Sequence, residues 1–184
     1  MNKLFSNERG LTFAEVLVVS VILMIVLALG YSLYFFAVRT FDTGSAQVEA
    51  QQKAKVVHEY FRSELRNTWE LELLSNNSPN ENDWGFFELE DKLLKKSTDS
   101  ETIEISDRIE DIKIKVGSKG NERFVLEYEI ISGVDEQEYT FSNQLLLNNI
   151  NDPEEQIDGI DINGGFESLN ENDKKLYYKD TPDD

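Results

Sequence analysis

Hydrophobic and polar positions along the chain fall into three regimes. From Val16 to Val38 there are 23 consecutive residues without a charge. At about 1.5 Å per helical residue they reach roughly 35 Å, longer than the ~30 Å hydrocarbon layer of a bilayer. Length and apolarity together predict a membrane-spanning helix. From Phe41 charges return, but Ala50, Ala54, Val57, Phe61 and Leu65 recur at spacings of three and four with Glu, Lys, Gln and Arg between them, the pattern of an amphipathic helix. The two patterns share a helical period, so one helix is expected to continue the other. From Leu11 to about Trp69 it would be on the order of 90 Å long, with helix possible as far as Leu74. Gly30 and Gly44 are its expected weak points, each costing about 1 kcal/mol relative to alanine.

Past Leu74 the period changes. "SNNSPNEND" (75–83) reads as a polar loop containing Pro79, the first proline of the chain. Short alternating, β-rich stretches follow at 84–90, 102–106, 109–116, 123–131 and 138–147. In "IKIKV", Ile112, Ile114 and Val116 face one way and Lys113 and Lys115 the other, as in a half-buried antiparallel strand. "GSKGNE" (117–122) and "SGVDEQ" (132–137) read as turns that join the last three strands into a meander. The tail from Asn148 to Asp184 reads as acidic loop, with "NGG" (163–165) as a tight turn. The expected fold class is therefore α+β, a long N-terminal helix packed on an antiparallel β-sheet. The expected divisions are a leader (1–10), a membrane helix (11–38), an amphipathic continuation (39–74) and an extracytoplasmic β domain with an acidic tail (75–184).

Composition narrows the function. The 184 residues suit a single folded domain beyond the membrane helix. The net charge is −18; residues 1–40 carry Lys3, Arg9 and Arg39 against Glu8 and Glu15, net +1, which leaves −19 for the rest. A domain so charged is repelled by nucleic acid and by anionic lipid, and neither is expected as a contact surface. With no cysteine and one histidine, His58, thiol chemistry and the usual general-base and metal constellations lack their parts. No enzyme is expected, because no nucleophile, base and orienting group can be named together.

The N-terminus admits three readings. It can be an uncut signal anchor with Glu15 at the headgroup level. It can be a secretory signal cut after Gly30, with Ala28 and Gly30 at the small-residue positions, although the apolar run continues through Val38. Neither accounts for a basic ten-residue leader ending in glycine, followed five residues later by a carboxylate.

That arrangement, "GLTFAE" (10–15) heading an apolar run, resembles the N-terminal signal of type IV prepilins and pseudopilins. The resemblance implies that a prepilin peptidase cuts after Gly10 and methylates the new amine of Leu11. It also implies that Glu15 meets the terminal amine of a neighbouring subunit inside a filament. A carboxylate left without such a partner in an apolar core would cost on the order of 3 kcal/mol, so Glu15 would set the register of assembly. The family most often has Phe first and "TLIE" after it, whereas this chain has Leu11 and "TFAE". It also lacks both a proline in the membrane helix and a cysteine pair, which places the resemblance with minor pilins and pseudopilins. The stretch "YTFSNQLLLNNI" (139–150) is similar to minor components of the PilW or type II secretion J class. The partners implied are other pilin or pseudopilin subunits, the prepilin peptidase and the membrane. The location implied is the cytoplasmic or inner membrane, N-terminus cytoplasmic, with the outer domain displayed on a filament used for secretion, competence, adhesion or motility. A single-pass anchored binding or sensor domain is the rival function.

Other motifs carry less. His58 lacks a second histidine one turn on, where Arg62 stands, and reads as a boundary residue. No cofactor is expected; "DGIDINGG" (158–165), with Asp158, Asp161 and Asn163, is a weak calcium candidate without the spacing of a calcium-binding helix-loop-helix. "VGSKGNE" lacks phosphate-loop spacing. Trp69, Trp84, Phe86 and Phe87 are expected to pack the helix onto the sheet.

Overall fold

The computed structural model describes residues 12–75, 84–98, 100–119, 123–135, 137–170 and 174–180. The chain divides after Gly44 into two units. A single helix, α1 (Phe13–Leu65), runs through both, uninterrupted at Gly30 and Gly44. Its described residues in the first unit are exposed throughout.

In the second unit, α1 buries Ala46, Ala50, Ala54, Val57, Phe61 and Leu65. This is the stripe expected from the spacing. Burying side chains the size of Phe61 and Leu65 contributes about 1.5–3 kcal/mol each. The stripe meets two sheets. The larger has the strand order β4 (Thr102–Ser106), β3 (Leu93–Ser97), β2 (Trp84–Glu90), β10 (Lys174–Lys179), β1 (Glu70–Ser75), β8 (Ile157–Asp158). The smaller has β7 (Gln137–Leu147), β6 (Phe124–Val134), β5 (Ile109–Ser118), β9 (Glu167–Ser168). A short helix, α2 (Pro153–Gln156), precedes β8. All neighbouring strands are antiparallel except β1 and β8, which run parallel. Phe61 lies between the sheets, 4.8 Å from the Phe87 ring and 5.6 Å from Tyr128.

The meander of β5, β6 and β7 is as expected, with Ile112, Ile114 and Val116 fully buried and Lys113 and Lys115 turned the other way. Its strands run further into the expected turns, leaving a two-residue link between Val134 and Gln137. Three expectations need correction. The sheet is two sheets rather than one, and not wholly antiparallel. The helix ends at Leu65, and Glu70–Ser75, assigned to the helical continuation, is strand β1. Leu71 and Leu73 are both buried two positions apart, a spacing that a helix would send to opposite faces and a strand sends to one.

The third correction concerns the tail, which is not all loop. Its "KKLYYK" forms β10, seated between β1 and β2 in the larger sheet. The lysines suit that place, because Lys175 pairs with Glu88 at 2.9 Å and Lys179 with Glu70 at 3.7 Å on the strands either side. Strand β3 is a further addition. It follows a two-residue turn, Asp91 and Lys92, both at positive φ, without the Asn-Gly signature that marks such turns.

Thr68, fully buried just past the helix, ties this region together. Its hydroxyl donates to the carbonyl of Lys179 at 2.9 Å and accepts from the Lys179 amide at 3.2 Å. Gly159, at φ +70, lets the chain pass β1 closely: a Cβ there would lie 2.1 Å from the Leu73 carbonyl oxygen. The described "NGG" residues do turn, with Asn163 at positive φ and the Gly164 amide donating to the Asp161 carbonyl.

Candidate functional site

Gly10 and Leu11, the expected cleavage and methylation residues, lie outside the described residues, as do Pro79 and 120–122. The site is visible from Thr12 onward. Thr12 caps α1: its hydroxyl accepts from the Glu15 amide at 3.4 Å, while Glu15 accepts from the Thr12 amide at 2.8 Å and from its hydroxyl at 2.9 Å. This reciprocal capping box satisfies two amides that a helix start would otherwise leave open. The pattern T-x-x-E before an apolar run signals it in the sequence. Glu15, expected to serve a neighbouring subunit, thus has a structural role within its own chain.

Beyond the cap, the apolar segment is polar-satisfied from within. Ser20 donates to the Val16 carbonyl and Thr40 to the Phe36 carbonyl, each at 2.8 Å. Backbone groups of a helix are internally paired, so nothing in this stretch demands water. Its side chains are apolar and unshielded, from Phe13 at 84% exposure to Val38 at 38%. Its hydropathy and length are those of a membrane span. The Phe35 ring lies 6.4 Å from that of Tyr31, one turn before it, and 5.7 Å from that of its neighbour Tyr34.

The remaining sequence candidates lie in the second unit. His58 is half-buried, with Nδ1 2.5 Å from the Tyr128 hydroxyl and its ring 5.1 Å from Phe141. It is a packing residue between α1 and the smaller sheet, and burial pushes the Tyr128 phenol up to about 12. Of the four aromatics, Phe87 packs on α1. Phe86 points to the opposite face, against Tyr177 at 5.2 Å and under Lys175 at 4.8 Å, and Trp84 lies near Lys179. Asp158 and Asn163 spend oxygens on protein amides, Asp158 on Gly159 at 2.8 Å and Asn163 on Ser118 at 3.1 Å. Among the described residues, no three His, Cys, Asp or Glu side chains gather as a metal site.

A polar cluster unnoticed in the sequence anchors the end of α1. Glu64 pairs with Lys96 at 2.8 Å and accepts from the Tyr178 hydroxyl at 3.2 Å. Partial burial, then the nearby Glu64 charge, hold the Asp180 carboxyl above its ordinary value, with Lys96 opposing. The partners of Glu64 lie 32 and 114 positions away, so no local spacing announces them.

Comparison with known proteins agrees with this geometry at both ends. The family model of the prokaryotic N-terminal methylation motif matches residues 5–31. No curated protein matches the sequence significantly. Among solved structures, a point variant of the PilB minor pilin from Streptococcus sanguinis matches with a TM-score of 0.51 at 10% identity. The match covers 73% of this chain and 35% of that one, so the chain spans about a third of the relative's length. At that identity the likeness concerns the fold, a long helix packed on β-sheets. A prepilin-type methylation motif thus heads α1, and the chain is similar in fold to a minor pilin.

Proposed function

We propose that this chain is a minor pilin or pseudopilin, a structural subunit of a type IV pilus-like filament. A prepilin peptidase cuts after Gly10 and methylates Leu11; the apolar half of α1 holds the subunit in the cytoplasmic membrane and then enters the filament core. The domain built on the other half faces outward. One observation carries this reading: a methylation motif heads a capped helix whose apolar side chains are exposed. Such a surface is satisfied by lipid or by the same helix of other subunits.

Glu15 has a second role in this scheme. On entering the filament core its carboxylate pairs with the methylated amine of a neighbouring Leu11, which is charge-assisted and so stronger than the hydroxyl and amide contacts of the cap. Mass spectrometry of the mature N-terminus tests the reading. Methylated Leu11 is expected; an intact Met1 would support an anchored sensor domain instead, and Tyr31 a secreted one.

A further inference from the structure

We propose that the exposed face of α1 bearing Lys55 and Arg62, continued by Arg66 just past its end, docks the acidic segment 152–161 of a second copy of this chain. The proposal rests on the filament reading and deepens it by naming a contact between outer domains.

The face is defined by helical spacing: residues 55, 59, 62 and 66 follow one another at three and four positions and turn away from the buried stripe. All four side chains are exposed. At its C-terminal end, Glu59, Arg62, Ser63, Arg66 and Asn67 line an open cavity of about 330 Å³. Cations elsewhere in the domain are mostly matched: Lys96 on Glu64, Lys174 on Glu167, Lys175 on Glu88, Arg108 on Glu49. Lys55, Arg62 and Arg66 form no ion pair or side-chain hydrogen bond among the described residues. In a region of net charge −19, three unmatched cations on one helix face form a local positive patch.

The complementary surface is on the same chain. Asp152, Glu154, Glu155, Asp158 and Asp161 are all exposed, and none pairs with a lysine or arginine among the described residues. The segment is held rigidly: Asp152 caps α2, and the Gln156 amide group donates to the carbonyls of Trp69 at 2.8 Å and Asn149 at 3.3 Å. Those bonds fasten it beside the end of α1, yet it forms no ion pair with Arg62 or Arg66 of its own chain. Two different complementary patches on one molecule make a head-to-tail contact. If its rotation does not close, such a contact propagates as a helix, the symmetry a filament requires. Glu59, the one acid on the basic face, repels a segment that slides out of place.

The cysteine-free chain allows a clean test. Ser63→Cys and Asp161→Cys are introduced into separate full-length chains, co-produced with the assembly machinery and oxidised in intact cells. A disulfide-linked dimer is expected only when both are present, and a ladder of multimers when one chain carries both. Adding Arg62→Glu with Arg66→Glu should lower dimer yield about fivefold, as expected for two exposed ion pairs. Glu154→Lys with Glu155→Lys on the other chain should restore it. Dimers from either single variant alone, an intramolecular disulfide, adducts only to a protein of different mass, or no adduct at all would each overturn the interface. Methylated Leu11 is read in the same samples. If it is present without the adduct, only the interface falls; if it is absent, the filament reading falls and the interface with it.

Discussion

Glu15 caps its own helix, and substitution can separate that use from the pairing with a neighbouring subunit proposed above. Glutamine also completes a capping box, so Glu15→Gln should leave the helix start intact while removing the charge proposed to meet a neighbour's amine. We expect Gln and Ala variants to fail alike in filament incorporation, measured by sheared-filament immunoblotting, with only Ala loosening amide exchange at Thr12 and Glu15. Equal incorporation of Gln and wild type would mean that capping is the whole role. In the core, a Cβ on Gly85 would lie 2.4 Å from the Tyr178 ring, so Gly85→Ala should cost about 1–3 kcal/mol in urea unfolding of the detergent-solubilised chain. The motif that points to Glu15 was legible in six consecutive residues. The His58 partner was not, because Tyr128 lies 70 positions away and only the folded sheet brings it near.

At the scale of elements, α1 combines two surfaces with opposite tolerances. Added Cβ atoms at Gly30 and Gly44 would meet nothing within 4 Å, so both glycines are gaps in propensity rather than sites of close packing. Gly44→Ala should raise helix stability by up to about 1 kcal/mol, read from amide exchange across 40–48. Ala50 and Ala54 are the reverse, fully buried where the helix lies against the smaller sheet. The Ser132 hydroxyl reaches the Ala50 carbonyl at 2.8 Å, which a larger neighbouring side chain would disturb. Ala54→Leu should therefore destabilise the domain by about 1–3 kcal/mol by overpacking, seen as a lower urea midpoint. The buried stripe was legible because it is local and periodic. The end of the helix was misread because Phe61, Leu65 and Trp69 keep a spacing of four across the point where Leu71 and Leu73 begin a period of two. The strand β10 was hidden by composition: its three lysines lie in an acidic tail, and two of them, Lys175 and Lys179, pair with Glu88 and Glu70 on strands distant in sequence.

Across the whole molecule, stability at acidic pH reflects carboxylates with opposite tendencies. Asp107 pairs with Lys53, and that hydrogen bond holds its carboxyl below the ordinary value. Its contribution is present above the unfolded value of 3.8 and is lost as pH falls through the lower folded value. Asp180 is raised by partial burial and by Glu64, so its favourable contribution is full below 3.8 and is lost as pH rises through its folded value. Asp180→Asn should accordingly raise the urea midpoint at pH 7, with the gain vanishing below 3.8, while Lys53→Met should lower it at pH 7 and have no effect once Asp107 is protonated. The α+β layout and the β5–β7 meander were readable because neighbouring strands there are also neighbours in sequence. The larger sheet was not, since it is assembled from both ends of the domain. That assembly bears on biogenesis. Strands β1 and β2 are synthesised about a hundred residues before β10, the strand that lies between them. A nascent chain therefore carries two open edges facing a vacant slot until β10 has been synthesised. Folding of the β domain has to await β10, and a truncation before Lys174 should yield a degradation substrate rather than a shorter folded chain.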